Sequence, residues 1–258
     1  MREMTLDDIK MLNLAKPGSH KGQNGRLLII GGSHLFHAAS IWALEVASRI
    51  VDLVHYSSIV ENNALVKAKF RNGIVIAREN IESYIEEDDC ILIGPGMTRD
   101  EDTAKLTHSL LTSYPNKQWV IDAGALQMMD LADIPNNAIL TPHHQEFVHT
   151  FGHQEVDAVA NTYHCIVLLK GPKDIVSDGA HTQVIEGGNA GMTKGGTGDV
   201  LAGLIAALAC KNDPFLATIA GSFINKKAGD ELYASVGPFF NASDLAAQIP
   251  KTMKALLY

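Results

Sequence analysis

Short, largely apolar runs recur along the chain, several of them closed by a glycine, an acid or a lysine. Arg26 to Ile30 (RLLII), Leu53 to Ile59 (LVHYSSI), Gly73 to Ala77 (GIVIA), Cys90 to Ile93 (CILI), Gln118 to Ile121 (QWVI), Ala138 to Leu140 and Cys165 to Leu169 (CIVLL) read as buried strands. Helical spacing predicts helices from about Ala38 to Ile50 and Glu101 to Tyr114, with Pro214 to Tyr233 largely helical and Ala242 to Leu257 as a closing helix. Strand, glycine turn and helix in succession make a βαβ unit, so the expected class is α/β, a mostly parallel central sheet covered by helices. Asp178-Gly179, between Ile175 to Ser177 and Thr182 to Ile185, predicts a small β-hairpin. Met1 to Pro17 reads as an amphipathic lead-in helix and Ser19 to Gly25 as a loop. No linker or repeat interrupts the pattern, and residues 1–258 are expected to form a single domain.

The densest chemistry lies at Gly187 to Cys210, GGNAGMTKGGTGDVLAGLIAALAC. Its glycines surround Thr193, Lys194 and Thr197, and amides in such a run approach an anion without a Cβ in the way. Val200, Leu201, Leu204, Ile205 and Leu208 then keep helical spacing, so the loop ends at a helix N-terminus, which favours phosphate. A helix start alone does not need four glycines between Gly191 and Gly198. The run therefore reads as an anion hole over Gly195, Gly196, Thr197 and Gly198 for a transferring phosphoryl group. Asp199 stands as the base for the attacking hydroxyl. The pattern is neither GxxxxGKS/T nor GxGxxG.

Composition narrows the partners. With 46% hydrophobic and 19% charged residues the chain can bury a sizeable core, and a net charge of -8 disfavours nucleic acid or an anionic membrane surface. Cys90, Cys165 and Cys210 lie inside apolar runs without a CxxC pair, which suits a reducing cytosol, and MREMTLDDIK shows no apolar stretch of the kind a signal segment needs. A cytoplasmic protein with a small-molecule site is expected.

Other pieces sit just past strand ends, where ligands bind in open α/β sheets. Gly94-Pro95-Gly96 follows CILI and feeds a helix; Asp122 follows QWVI and either orients a cation or caps the next helix. Thr141-Pro142-His143 presents an imidazole, with Glu146 in the first turn beyond it. His144, His149 and His153 read as surface residues, since no HExxH or CxxC frame accompanies them, and no metal site is expected. Lys170-Gly171 places an ammonium where a phosphate would lie, whereas Asn225, Lys226 and Lys227 read as a solvated helix face.

Together, Lys21-Gly22 with GRLLIIGGS, GPG at 94 to 96, IDAGAL at 121 to 126, TPHHQEF at 141 to 147, KGPKD at 170 to 174 and GMTKGGTGDVLAG resemble the ADP/ATP-dependent NAD(P)H-hydrate dehydratases, a branch of the ribokinase-like superfold. The resemblance implies a three-layer αβα domain that uses ADP or ATP to phosphorylate the hydroxyl of hydrated NADH or NADPH and then eliminates phosphate. It implies Asp199 as base with Gly196 and Gly198 in the anion hole. Lys170, Gly171, Pro172, Lys173 and Asp174, with Asn189, Thr193, Gly195, Thr197 and Gly198, would lie along the nucleotide. Ala38, Ala39, Gly94, Gly96, His143, Glu146 and Asp199 would face the hydrate. Mg²⁺ would travel with the nucleotide phosphates, and a homo-oligomer is expected. The family's fused epimerase domain is not expected within these 258 residues. His37 replaces the usual glycine before Ala38, Ile50-Val51-Asp52 replaces Gly-Ala-Gly or Gly-Ala-Asp, Gly124 replaces a common acid, and His144-Gln145 replaces Pro-Gly. These departures cluster on the hydrate side. A small-molecule kinase of the same superfold acting on a hydroxymethyl group, and a nucleotide-binding module without turnover, remain the alternatives.

Overall fold

The computed structural model describes residues 2–3 and 9–258. Its strands are β1 (Arg2–Glu3), β2 (Arg26–Ile30), β3 (Leu53–Ser57), β4 (Ile74–Val75), β5 (Cys90–Ile93), β6 (Gln118–Ile121), β7 (Ile139–Leu140), β8 (Ile166–Leu169), β9 (Asp174–Ser177) and β10 (Thr182–Ile185). They form one sheet in the order β1-β10-β9-β8-β7-β6-β5-β2-β3-β4. All pairings from β8 to β4 are parallel, while β9 runs antiparallel to β8 and turns back as β10 through Asp178-Gly179.

Helices α1 (His37–Ala47), α2 (Val60–Lys69), α3 (Ile81–Ile85), α4 (Glu101–Ser113), α5 (Ala123–Met128), α6 (His144–Phe151), α7 (Val156–Tyr163), α8 (Thr197–Ala209), α9 (Pro214–Val236) and α10 (Ala242–Leu257) complete the chain. Successive strand residues point to opposite faces, and the two faces bury separate cores. Leu27, Ile29 and Leu92 pack with α1, α8, α9 and α10, whereas Leu28, Ile30 and Ile91 pack with α4 to α7. Each such Leu or Ile contributes about 1.5–3 kcal/mol by leaving water. The result is three layers, αβα, as the βαβ pattern implies.

Two close approaches seat α8. A Cβ on Gly203 would stand 2.6 Å from Ala43 Cα of α1, and one on Gly221 of α9 would stand 2.6 Å from Ile205 Cγ1. Residues Val200 to Ala209 are all buried, so α8 is covered on every side and not only against the sheet. Gly31, Gly94, Asp122, Thr141 and Lys170 follow β2, β5, β6, β7 and β8, which places them along one edge. Chain order reverses between β2 and β5, opening the crevice there.

The expected lead-in helix falls largely outside the described residues, which omit 4–8; Arg2–Glu3 pair in parallel with β10, Ile9 is helical, and residues 12–16 have no regular structure. Asn13 is bonded instead to the turn between α8 and α9: its backbone N–H donates to Asn212 Oδ1 (2.6 Å) and its side chain to the Lys211 carbonyl. Helix α2 has no counterpart in the sequence expectations, because only Asn62 and Val66 of it are buried and no apolar stripe marks it. Among the described residues no helix is long and apolar enough to cross a membrane.

Candidate active site

The start of α8 is built to receive an anion. Its N-cap, Gly196, has φ +97° and offers no side chain to the free amides, and a Cβ there would lie 2.5 Å from the Trp42 ring. Met192 to Lys194 approach from the preceding turn, held by the Thr197 hydroxyl, which donates to the Met192 and Lys194 carbonyls (2.7 and 2.9 Å). Asp199 lies in the first turn and is half-buried. Burial pushes its carboxyl up to about 7; Asp122 and Glu146 add to the rise, and Lys170 opposes it. A carboxylate that is half-charged near neutrality is matched to proton abstraction.

Lys170 organises the opposite wall. Its ammonium bonds Asp122 Oδ1 at 2.9 Å, an oxygen that also accepts from the Thr141 hydroxyl at 2.8 Å. Asp122 is 2% exposed, and its side chain makes no cap bond to α5, so of its two sequence readings the structure holds the cation-orienting one. Burial alone would lower the Lys170 ammonium, but Asp122, Glu146 and Asp199 outweigh it and hold it above its usual value. The same ammonium stands 3.6 Å from where a Gly198 Cβ would be, at the mouth of the α8 N-terminus. His143 neighbours Lys170 by a parallel backbone bridge and caps α6: its Nδ1 accepts from the Glu146 N–H, and its own N–H donates to Glu146 Oε2. Gln127 donates to the other oxygen, Oε1, at 2.9 Å. Both Glu146 oxygens are thus engaged within the protein, bracing His143.

His143, Lys170 and the α8 start at Thr197 and Gly198 open onto a cavity of about 690 Å³, with Asp199 next in the chain to its lining. His143, Lys170, Gly171, Pro172 and Asp174 line one side; Asn189, Thr193, Thr197 and Gly198 line the other. The structure thus gathers most of the expected nucleotide residues, though not all in the expected role. Asp174 is occupied holding the wall, its oxygens accepting from the Gly171 N–H (2.9 Å) and Ser222 Oγ (2.7 Å). Lys173 points away to Glu186 and does not line the cavity. Gly195 is an exposed loop tip, with nothing within 4 Å of where a Cβ would stand. Asn189 is tied to the Gly191 N–H and to Asp230 Oδ1, which shapes the loop from within.

The glycines that follow β5 serve close packing. A Cβ on Gly94, at φ +120°, would stand 1.8 Å from the Asp122 carbonyl oxygen; one on Gly96 would stand 2.5 Å from the Phe36 carbonyl and 3.0 Å from Ala39 Cβ. Ala38 and Ala39 open α1, whose N-cap Phe36 makes no side-chain bond, so a second uncapped helix N-terminus borders the crevice. Gly124 is needed too, because a Cβ there would lie 2.2 Å from the Met97 carbonyl. Gly94→Ala is expected to destabilise the fold by about 3–5 kcal/mol, read by thermal unfolding, while Gly195→Ala stays within about 0.5 kcal/mol.

The family model described as NAD(P)H-hydrate dehydratase matches residues 27–251. The chain belongs to the NAD(P)H-hydrate dehydratase family. Among dehydratase relatives, the bifunctional NAD(P)H-hydrate repair enzyme Nnr of Methanocaldococcus jannaschii is 37% identical over 258 residues, covering 96% of this chain and 52% of that protein. The chain thus spans about half the length of such bifunctional relatives. The ADP-dependent (S)-NAD(P)H-hydrate dehydratase of Cenarchaeum symbiosum is 32% identical over 96% of this chain and 95% of its own. The fold matches the Bacillus subtilis ADP/ATP-dependent NAD(P)H-hydrate dehydratase co-crystallised with ATP/Mg²⁺, with a TM-score of 0.87 at 23% identity over 98% and 97% of the two chains.

In this dehydratase-family site three participants escape sequence reasoning. Lys226, expected on a solvated face, is 6% exposed and ties the cavity walls together: it donates to the Gly171, Pro172 and Gly187 carbonyls (3.0–3.2 Å) and pairs with Asp174 at 3.3 Å. Asn225 is likewise buried, and only Lys227 of that trio is exposed. Gln127, behind Glu146, carries no motif at all. The signal for Lys226 and Asn225 was present but faint, namely that α9 is otherwise apolar on that face.

Proposed function

We propose that the chain dehydrates hydrated NADH or NADPH at the expense of ADP or ATP. The observation that carries this reading is Asp199, raised to about 7 by burial, at the N-terminus of α8 and within the field of Lys170. Asp199 takes the proton of the substrate hydroxyl, and that oxygen attacks the terminal phosphorus of the nucleotide. The shortened nucleotide leaves as the P–O bond breaks. Charge on the transferred phosphoryl meets the amides of Gly196 and Gly198 and the Lys170 ammonium, groups fixed before reaction. Phosphate then departs from the ring carbon with a proton from the adjoining carbon, which restores the dihydronicotinamide double bond. His143, braced by Glu146 and Gln127, faces the substrate end of the cleft.

The names of the domain-length relatives and the phosphate-binding geometry support this assignment. Mg²⁺ would arrive with the nucleotide phosphates, whose oxygens suit that hard cation. The same base and anion hole would serve a kinase acting on a hydroxymethyl group, and one assay separates the two. Purified protein with ADP or ATP and NADH hydrate is expected to regain absorbance in the dihydronicotinamide band. Absence of recovery, with phosphorylation of an alcohol instead, overturns the dehydratase reading.

A further inference from the structure

Resting on the nucleotide-binding reading above, we infer that Asn225 reads the base of the nucleotide and sets its preference for adenine. Asn225 projects from α9 into the wall of the 690 Å³ cavity, at 4% exposure. Its Oδ1 is sealed from solvent and has no hydrogen-bond partner among the described residues. A buried acceptor left unpaired is costly, so its persistence beside a cavity calls for a ligand donor. The neighbouring Lys226 does not fill that role, because its ammonium is taken by three carbonyls and Asp174.

Lys170 and Gly198 mark where phosphate would lie, and the same cavity is lined by Asn225 and by Pro172, Met192 and Leu201, whose apolar surfaces suit the flat faces of a ring. Met192 is fixed close to this wall, its Sδ lying 2.3 Å from where a Gly229 Cβ would be, one turn beyond Asn225. Adenine presents an exocyclic amino donor beside a ring-nitrogen acceptor, the edge that a carboxamide pairs with in two bonds. Hypoxanthine carries a carbonyl in place of the amino group and sets an acceptor against Oδ1.

The test uses calorimetric binding of ADP and inosine diphosphate to the full chain and to Asn225→Leu, which removes the unpaired acceptor at similar volume. Wild type is expected to bind ADP about tenfold more tightly than inosine diphosphate. Asn225→Leu is expected to lose that preference through weaker ADP binding, raise the nucleotide KM with kcat little changed, and keep or raise the Tm of the free protein. A merely structural Asn225 would lower Tm and leave the preference intact, which overturns the inference. Wild type that binds ADP but does not discriminate overturns it as well. Wild type that binds neither nucleotide overturns the nucleotide-binding reading itself.

Discussion

Asp199→Asn lowers kcat by about 10²–10⁴-fold and leaves nucleotide affinity nearly unchanged. The amide keeps the shape of the carboxyl but cannot accept the hydroxyl proton. Since burial raises the carboxyl to about 7, the wild-type rate climbs as pH passes through 7 and levels off above it, and the residual rate of Asp199→Asn does not follow that curve. Stability moves the other way. Between the ordinary value of 3.8 and about 7 the folded chain holds a proton that the unfolded chain has released, so wild type loses stability as pH rises through that window. Asp199→Asn has no such loss and is expected to melt about 2–6 °C above wild type at pH 8, with the gap closing towards pH 4. Unimpaired turnover in this variant would remove Asp199 from the role of base.

Lys170→Met is expected to be the most damaging single change outside α8. It strips the ammonium from Asp122, a carboxylate 2% exposed whose other side-chain partner is the Thr141 hydroxyl, and a buried charge so abandoned costs about 3–5 kcal/mol. Thermal unfolding reads this as a fall of roughly 10 °C. Two kinetic effects accompany it. Nucleotide KM rises because a cation leaves the phosphate end of the cavity, and the pH profile moves to higher pH because Lys170 is what restrains Asp199. A profile still centred where wild type has it would show that Lys170 and Asp199 do not share one field.

The sheet and the phosphate side of the site are legible from sequence for a common reason. RLLII, CILI, QWVI and CIVLL are buried on both faces and so carry an unbroken apolar signal, and GMTKGGTGD concentrates its chemistry within a few residues. Where function depends on partners distant in the chain, local pattern fails. Lys226 looks like a surface cation until Gly171, Pro172 and Gly187 close over it, and Glu146 carries no sign in the sequence that Gln127 donates to one of its oxygens while His143 takes the other. Asp174 is the reverse case, a motif residue whose charge is spent within the wall. Asn13 likewise finds its partner in Asn212, nearly the whole chain away, and no local pattern announces that pairing.

The contact between Trp42 and Gly196 gives the molecule an optical reporter of its own. Of the two tryptophans, Trp119 is sealed within the core, whereas the Trp42 indole lies against the backbone that would hold the phosphoryl group and is anchored at its far end to Ser243. Emission that changes when a nucleotide arrives therefore comes from one fluorophore at one known spot, with Trp119 as a constant background.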